Sequence, residues 1–168
     1  MSDNIKVWVG CLASYNNGQH HGQWIDLEKD ASTLKDFYEI VYDDILKNSP
    51  ADDAEEWEIF DTMGLGERND FNYISAIYKA LEIKKNCDDV NVFNAALNCC
   101  DCLDDLQSYI ENFVGFYDSD IDFAEQIFND CEQCPDRLEP YIDIERYARD
   151  LFYDYEYCEK TGAVFARF

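Results

Sequence analysis

Carboxylates are the side chains this sequence offers in quantity: 37 Asp and Glu against 13 Lys and Arg in 168 residues, a formal net charge of −24 at pH 7. So many anions suit the capture of cations, either a metal ion or a basic protein surface. Asp118-Ser119-Asp120-Ile121-Asp122 opens like a calcium loop, but the sixth and twelfth places, which need Gly and Glu, hold Phe123 and Asn129. Cys99, Cys102, Cys131 and Cys134 form two C-x-x-C pairs with the types for a four-thiolate zinc site. Their 28 intervening residues exceed the usual spacing of about 15–20, and both pairs fall in helical patterns that equally suit buried free thiols. We therefore expect no cofactor. His20 and His21 are adjacent and, in an extended segment, would point apart, which makes them poor joint ligands. There is no Gly-rich phosphate loop, no G-x-S-x-G and no H-E-x-x-H, and no nucleophile–base arrangement stands out. The expectation is a protein that is not an enzyme.

The acids are unevenly placed. No Lys, Arg or His occurs between Lys85 and Arg137, and that gap contains 13 acids. On one predicted helix Asp101, Asp104, Asp105 and Glu111 oppose Leu103, Leu106, Ile110 and Phe113. On the next, Asp118, Asp122, Glu125 and Glu132 fall on one side. Like charges at i,i+3 and i,i+4 cost about 0.2–0.5 kcal/mol per pair, a strain that interleaved Lys usually relieves. An acidic surface kept for solubility, or a halophilic bias, accounts for the sign of the charge but not for this gap. A sharper reading is imitation of nucleic-acid phosphates. At the charge density of duplex DNA, 24 net charges cover roughly 41 Å, or about 12 base pairs. A single helical face carries one acid per ~5.4 Å turn, so about three faces side by side are needed.

The elements that must hold these acids read as α+β. Lys6–Leu12 is β-rich, Asn16-Asn17-Gly18 signals a turn, and Gly22–Leu27 returns as a second strand. Ser32 is the expected N-cap of a helix carrying Leu34, Phe37, Ile40, Val41 and Ile45, and Glu56–Phe60 is a third strand. This β-β-α-β pattern defines an N-terminal α/β module over 1–63. Helical periodicity over Phe71, Ile74, Ile77, Tyr78 and Leu81, then Val90, Phe93 and Leu97, then Leu103–Phe113, defines a helical middle module over 64–114. A strand at 114–117, helices over about 121–131 and 142–154, and two strands around Thr161-Gly162 make a mixed α/β C-terminal module over 115–168. Three small modules in a row predict an elongated chain. Trp8, Trp24 and Trp57 each sit in a strand-like segment and are assigned to module cores.

Composition narrows the partners. The chain is 47% hydrophobic and 15% aromatic, which excludes a wholly disordered acidic tail. Its charge repels phosphate, so no nucleic acid and no membrane surface is expected to bind. The N-terminal segment has no apolar export signal, which predicts a cytoplasmic protein with reduced thiols.

Val7-Trp8-Val9-Gly10-Cys11-Leu12-Ala13-Ser14-Tyr15-Asn16-Asn17-Gly18, followed by Gly22-Gln23-Trp24, resembles the opening signature of the ArdA antirestriction proteins. Glu55–Asp61 with Gly64 is similar to that family's second block, Phe123–Phe128 to its antirestriction motif, and Pro140–Leu151 with Val164-Phe165 to its C-terminal block. The resemblance spans nearly the whole chain and departs at Cys11, Asn17, Gln23 and Cys131–Cys134. It implies an elongated homodimer of three α/β modules, carried on mobile elements, that mimics bent B-form DNA. Such a dimer occupies the DNA groove of a type I restriction-modification enzyme. On this reading Asp101, Asp104, Asp105, Glu111, Asp118, Asp120, Asp122 and Glu125 stand in for phosphates, and Asp52, Asp53, Glu55, Asp88 and Asp89 extend the track. The alternatives are an acidic adaptor for another basic protein, or a metal or redox protein built on the cysteine pairs.

Overall fold

Val7, Val9 and Cys11 alternate with Lys6, Trp8 and Gly10, and this period of two makes Lys6–Cys11 a strand, β1, with the first set buried. The computed structural model describes residues 4–66, 73–131, 133–135 and 137–168. Phe71 and Glu132, which the helical patterns included, lie outside the described residues. The chain forms two compact units, Met1–Val90 and Asn91–Phe168.

In the first unit β1 is central. It pairs antiparallel with β2 (Gly22–Asp26) on one side and β3 (Trp57–Met63) on the other. A five-residue helix, α1 (Leu12–Asn16), occupies what reads in the sequence as the end of the strand and its turn. It buries Ser14, whose hydroxyl lies 2.7 Å from that of Ser49. Helix α2 (Leu34–Glu39) is capped by Thr33 rather than the expected Ser32. The reason is the residue three places on. From Thr33 it is Asp36, which accepts from the Thr33 N–H at 3.1 Å while its own N–H donates to Thr33 Oγ1 at 3.2 Å. From Ser32 it would be Lys35, which has no acceptor. The helix widens into a π-helical stretch, Ile40–Leu46, that buries Val41, Ile45 and Leu46. Phe37, fully buried, packs edge-on against Trp57 at 5.4 Å.

Helix α3 (Ile74–Asn86) is tied to the loop after β2 by polar contacts of Tyr78 and Lys84. The Tyr78 hydroxyl donates to the Ala31 carbonyl at 2.6 Å, and Lys84 Nζ sits 2.8 Å from Glu28 Oε1. At the end of β2 Asp26 is buried, and its carboxylate accepts from Asn4 Nδ2 and from the Glu28 and Lys29 N–H groups. Burial alone would raise the Asp26 pKa, but these bonds and the Lys29 charge outweigh it and hold it below 3.8. Glu28 is likewise held below 4.5, burial being outweighed by Lys84 and the Ile5 N–H. Because both pKa values are depressed on folding, their stabilisation is present above the unfolded-chain values and lost as pH falls through the folded ones. We expect the first unit's melting temperature to drop below about pH 4. Asp26→Ala should cost about 3 kcal/mol at pH 7, since it strands three donors, and thermal melts by circular dichroism at pH 7 and pH 3 check both outcomes.

The second unit takes in almost all of α4 (Val90–Cys99), then α5 (Leu106–Glu111), β4 (Phe113–Phe116), α6 (Asp120–Cys131), α7 (Ile144–Leu151), β5 (Tyr155–Cys158) and β6 (Ala163–Ala166). A 3-10 turn at Glu139–Tyr141 precedes α7. The three strands pair antiparallel in the order β4-β6-β5. Phe123 from α6 is fully buried against Tyr117, Tyr155 and Phe152, with ring centroids 4.9, 5.0 and 5.7 Å away. Gly162 turns β5 into β6 at φ +73°, and a Cβ there would sit 2.6 Å from the Tyr117 carbonyl oxygen. That position accepts only glycine. The fold is α+β, with a small sheet at each end of the chain and helices between them in sequence.

Trp24 and Trp8 are not core residues: Trp24 is 39% exposed on the outer face of β2, and Trp8, half-buried, stands edge-on to it at 6.0 Å on the same face. The strand's alternation gives the core Ile25 and leaves the larger ring outside.

Candidate functional site

The loops and helix ends carry the acids. Asp52, Asp53, Glu55, Asp88 and Asp89 in the first unit are exposed, and so are Asp101, Asp104, Asp105, Glu111, Asp118, Asp120, Asp122 and Glu125 in the second. Divided by unit, 19 acids face 8 bases in Met1–Val90 and 18 face 5 in Asn91–Phe168, so each unit is strongly anionic.

In the first unit Asp52 and Asp53 lie in the tight turn before β3, where the Glu55 N–H donates to the Asp53 carbonyl at 2.9 Å. A cleft of about 660 Å³ opens beside them, lined by Glu55, Glu56, Trp57, Glu58, Tyr73 and Ile74. Charge patterning in the sequence does not single out Glu56 and Glu58. Their signal is the alternation Glu56-Trp57-Glu58-Ile59, which sets the acids on the side opposite Trp57 and Ile59. Asp88 and Asp89 follow the end of α3, where Cys87 Sγ donates to the Asp89 carbonyl at 3.2 Å.

In the second unit the helix expected to carry Asp101, Asp104, Asp105 and Glu111 together is shorter. Asp101, Asp104 and Asp105 occupy the turn between α4 and α5, and only Glu111 is helical. The buried Leu103 and Leu106 anchor this turn, and a turn of this size imitates helical spacing in the sequence. Asp105 accepts from Cys102 Sγ at 3.1 Å, and Glu111 from Gln107 Nε2 at 2.7 Å.

The segment Asp118–Asp122 is a helix start. Ser119 Oγ accepts the Asp122 N–H at 3.1 Å and donates to the Asp122 carboxylate at 2.7 Å. Asp120 and Asp122 thus fall in the first turn of α6, where the helix dipole favours negative charge by about 0.3–1 kcal/mol each. The Tyr157 hydroxyl donates to the Asp118 carbonyl at 3.0 Å. Burial raises the Tyr157 pKa first, and the charges of Asp120, Asp118, Asp122 and Glu159 raise it further. All four charges act on the Tyr157 hydroxyl, Glu159 doing so from the hairpin after β5. Glu125, one helical turn beyond Asp122, continues the exposed face of α6 opposite Phe123 and Ala124.

The cysteine pairs do not converge. Cys99 Sγ donates to Glu156 Oε1 at 3.3 Å, Cys102 turns to Asp105, Cys134 turns to the Pro135 carbonyl, and Cys131 is exposed. Among the described residues no group of three or more His, Cys, Asp or Glu side chains is placed to hold a metal ion. Burial raises the Cys99 thiol pKa, and the Glu156 carboxylate and Cys158 thiol raise it further. Cys99 should accordingly alkylate at least about tenfold more slowly than Cys131 at pH 8, as mass spectrometry of timed iodoacetamide reactions would read. No helix among the described residues is long and apolar enough to cross a membrane.

The family model for antirestriction protein (ArdA) matches residues 7–165 of the chain. No curated protein matches it.

Proposed function

Since the chain belongs to the ArdA family of antirestriction proteins, we propose that it acts without catalysis, as an acidic mimic of B-form DNA that fills the DNA-binding groove of type I restriction-modification enzymes. It works in the cytoplasm, as a homodimer, from a mobile genetic element. The observation that carries this reading is the exposure of all the acids assigned to phosphate positions, in a chain whose residues 86–136 hold no basic side chain. A duplex-binding groove is lined with Lys and Arg, and a surface of this sign and density complements it.

The test is restriction of unmodified DNA by a purified type I enzyme with the protein added. Inhibition that excess duplex relieves, and that weakens as salt rises, supports the mimic. Inhibition unaffected by duplex, or an affinity for the enzyme that salt leaves unchanged, overturns it.

A further inference from the structure

The first unit buries one face of its sheet and leaves the other bare. Trp24, Trp8 and Asp61 stand in register across β2, β1 and β3, and Gly22, Gly10 and Glu58 form the next row. The two glycines leave that row without side chains over β1 and β2. Phe60 uses the space: a Cβ on Gly10 would lie 2.9 Å from its ring. Tyr15 packs on Phe60 at 4.7 Å and on His20 at 5.9 Å. The result is a slot of about 260 Å³ lined by Trp8, Gly10, Tyr15, Gln19, His20 and Phe60. Tyr15 and Phe60 of this lining stay exposed, and on the same face of the sheet so do Trp24, beside Trp8, and Glu58, Asp61 and Met63 of β3. Lys6, which borders this face, lies 3.6 Å from Asp26.

Aromatic faces combined with carboxylates select one cation among the common side chains. Guanidinium is planar, stacks on indole and phenyl rings, and meets a carboxylate with two parallel N–H groups. Ammonium is compact and strongly hydrated, and gains less from a ring. A second copy of the same face would set Glu58 and Asp61 against themselves, so the charges favour a basic partner instead. We infer that this face docks arginine: its rings, Trp8 and Phe60 at the slot and Trp24 beside Trp8, stack an arginine of a basic protein, and Glu58 or Asp61 on the same face pairs with it. The inference deepens the function proposed above and rests on it for the identity of the partner; the slot itself is tested without that enzyme.

Isothermal titration of the full chain with nona-arginine and nona-lysine peptides, at physiological salt, provides the test. The expected result is an affinity for the arginine peptide at least about fivefold higher than for the lysine peptide. Trp24→Leu should reduce arginine-peptide affinity about threefold to tenfold and change lysine-peptide affinity less than about twofold. Asp61→Asn, which keeps the Oδ1 that accepts the Thr62 N–H, should also reduce the arginine preference. Phe116→Leu, at an exposed ring of the second unit, should leave both affinities alone. Equal affinity for the two peptides, or a Trp24→Leu effect shared equally by both, overturns the slot. A failure of duplex to relieve inhibition would overturn the mimic while leaving this result standing.

Discussion

Replacing Asp118, Asp120, Asp122 and Glu125 together by their amides should weaken inhibition of a type I restriction enzyme by about 30-fold. Exposed charge pairs contribute roughly 0.2–1 kcal/mol each, so four removed together cost about 2 kcal/mol, which corresponds to that factor. Any one of the four alone should cost about 0.5 kcal/mol, little more than a factor of two. The amides preserve shape, and the carboxamide that Asp122→Asn introduces would still face the Ser119 hydroxyl, so the helix start survives with a modest loss of dipole stabilisation. The salt dependence of inhibition should become shallower in the fourfold variant. Half-inhibition concentrations measured at two salt levels read both effects. A single amide that abolishes inhibition in a protein with a native circular-dichroism spectrum would refute shared, graded charge mimicry.

Phe123→Ala should destabilise the second unit by about 3–5 kcal/mol, the largest effect of any single change considered. The ring is fully buried among three aromatic neighbours, Tyr117, Phe152 and Tyr155, and its removal leaves a cavity they cannot close without leaving their own positions. The loss also reaches the acids indirectly. Phe123 is the residue after Asp122 on α6, and Tyr117 immediately precedes Asp118, so the same ring seats both sides of the acidic helix start. Urea unfolding of the variant should show the reduced midpoint, and Phe123→Leu should recover a large part of it. An unfolding free energy unchanged within about 0.5 kcal/mol would contradict this packing account.

The strongly periodic segments were legible. Ile74, Ile77 and Leu81 mark the buried side of α3, because burial on one face imposes the 3.6-residue spacing directly. The segments that escaped have competing explanations for the same pattern. Leu12–Asn16 continues an apolar run that reads as strand, and a five-residue helix has too few positions to show a period. Leu103, Leu106, Ile110 and Phe113 follow one period across a turn, a helix and a strand, and so merged three elements into one. The π-helical stretch at Ile40–Leu46 keeps its apolar residues near α-helical spacing. Asp26 was hidden for a different reason: a lone Asp among 37 acids gives no sign of burial until Asn4 and two backbone N–H groups surround it. Glu159, in the β5–β6 hairpin, acts on the same Tyr157 hydroxyl as the acids of the α6 start, a relation across 37 residues from Asp122 that no local pattern shows.

Trp8, Trp24 and Trp57 all belong to the unit Met1–Val90, and Asn91–Phe168 contains no indole. Excitation at a wavelength that tyrosine does not absorb therefore illuminates one half of the molecule. Emission followed through a denaturant series reports the unfolding of that half by itself, while peptide-bond ellipticity reports both. The separation between the two curves is then a direct optical measure of how far each half stands without the other.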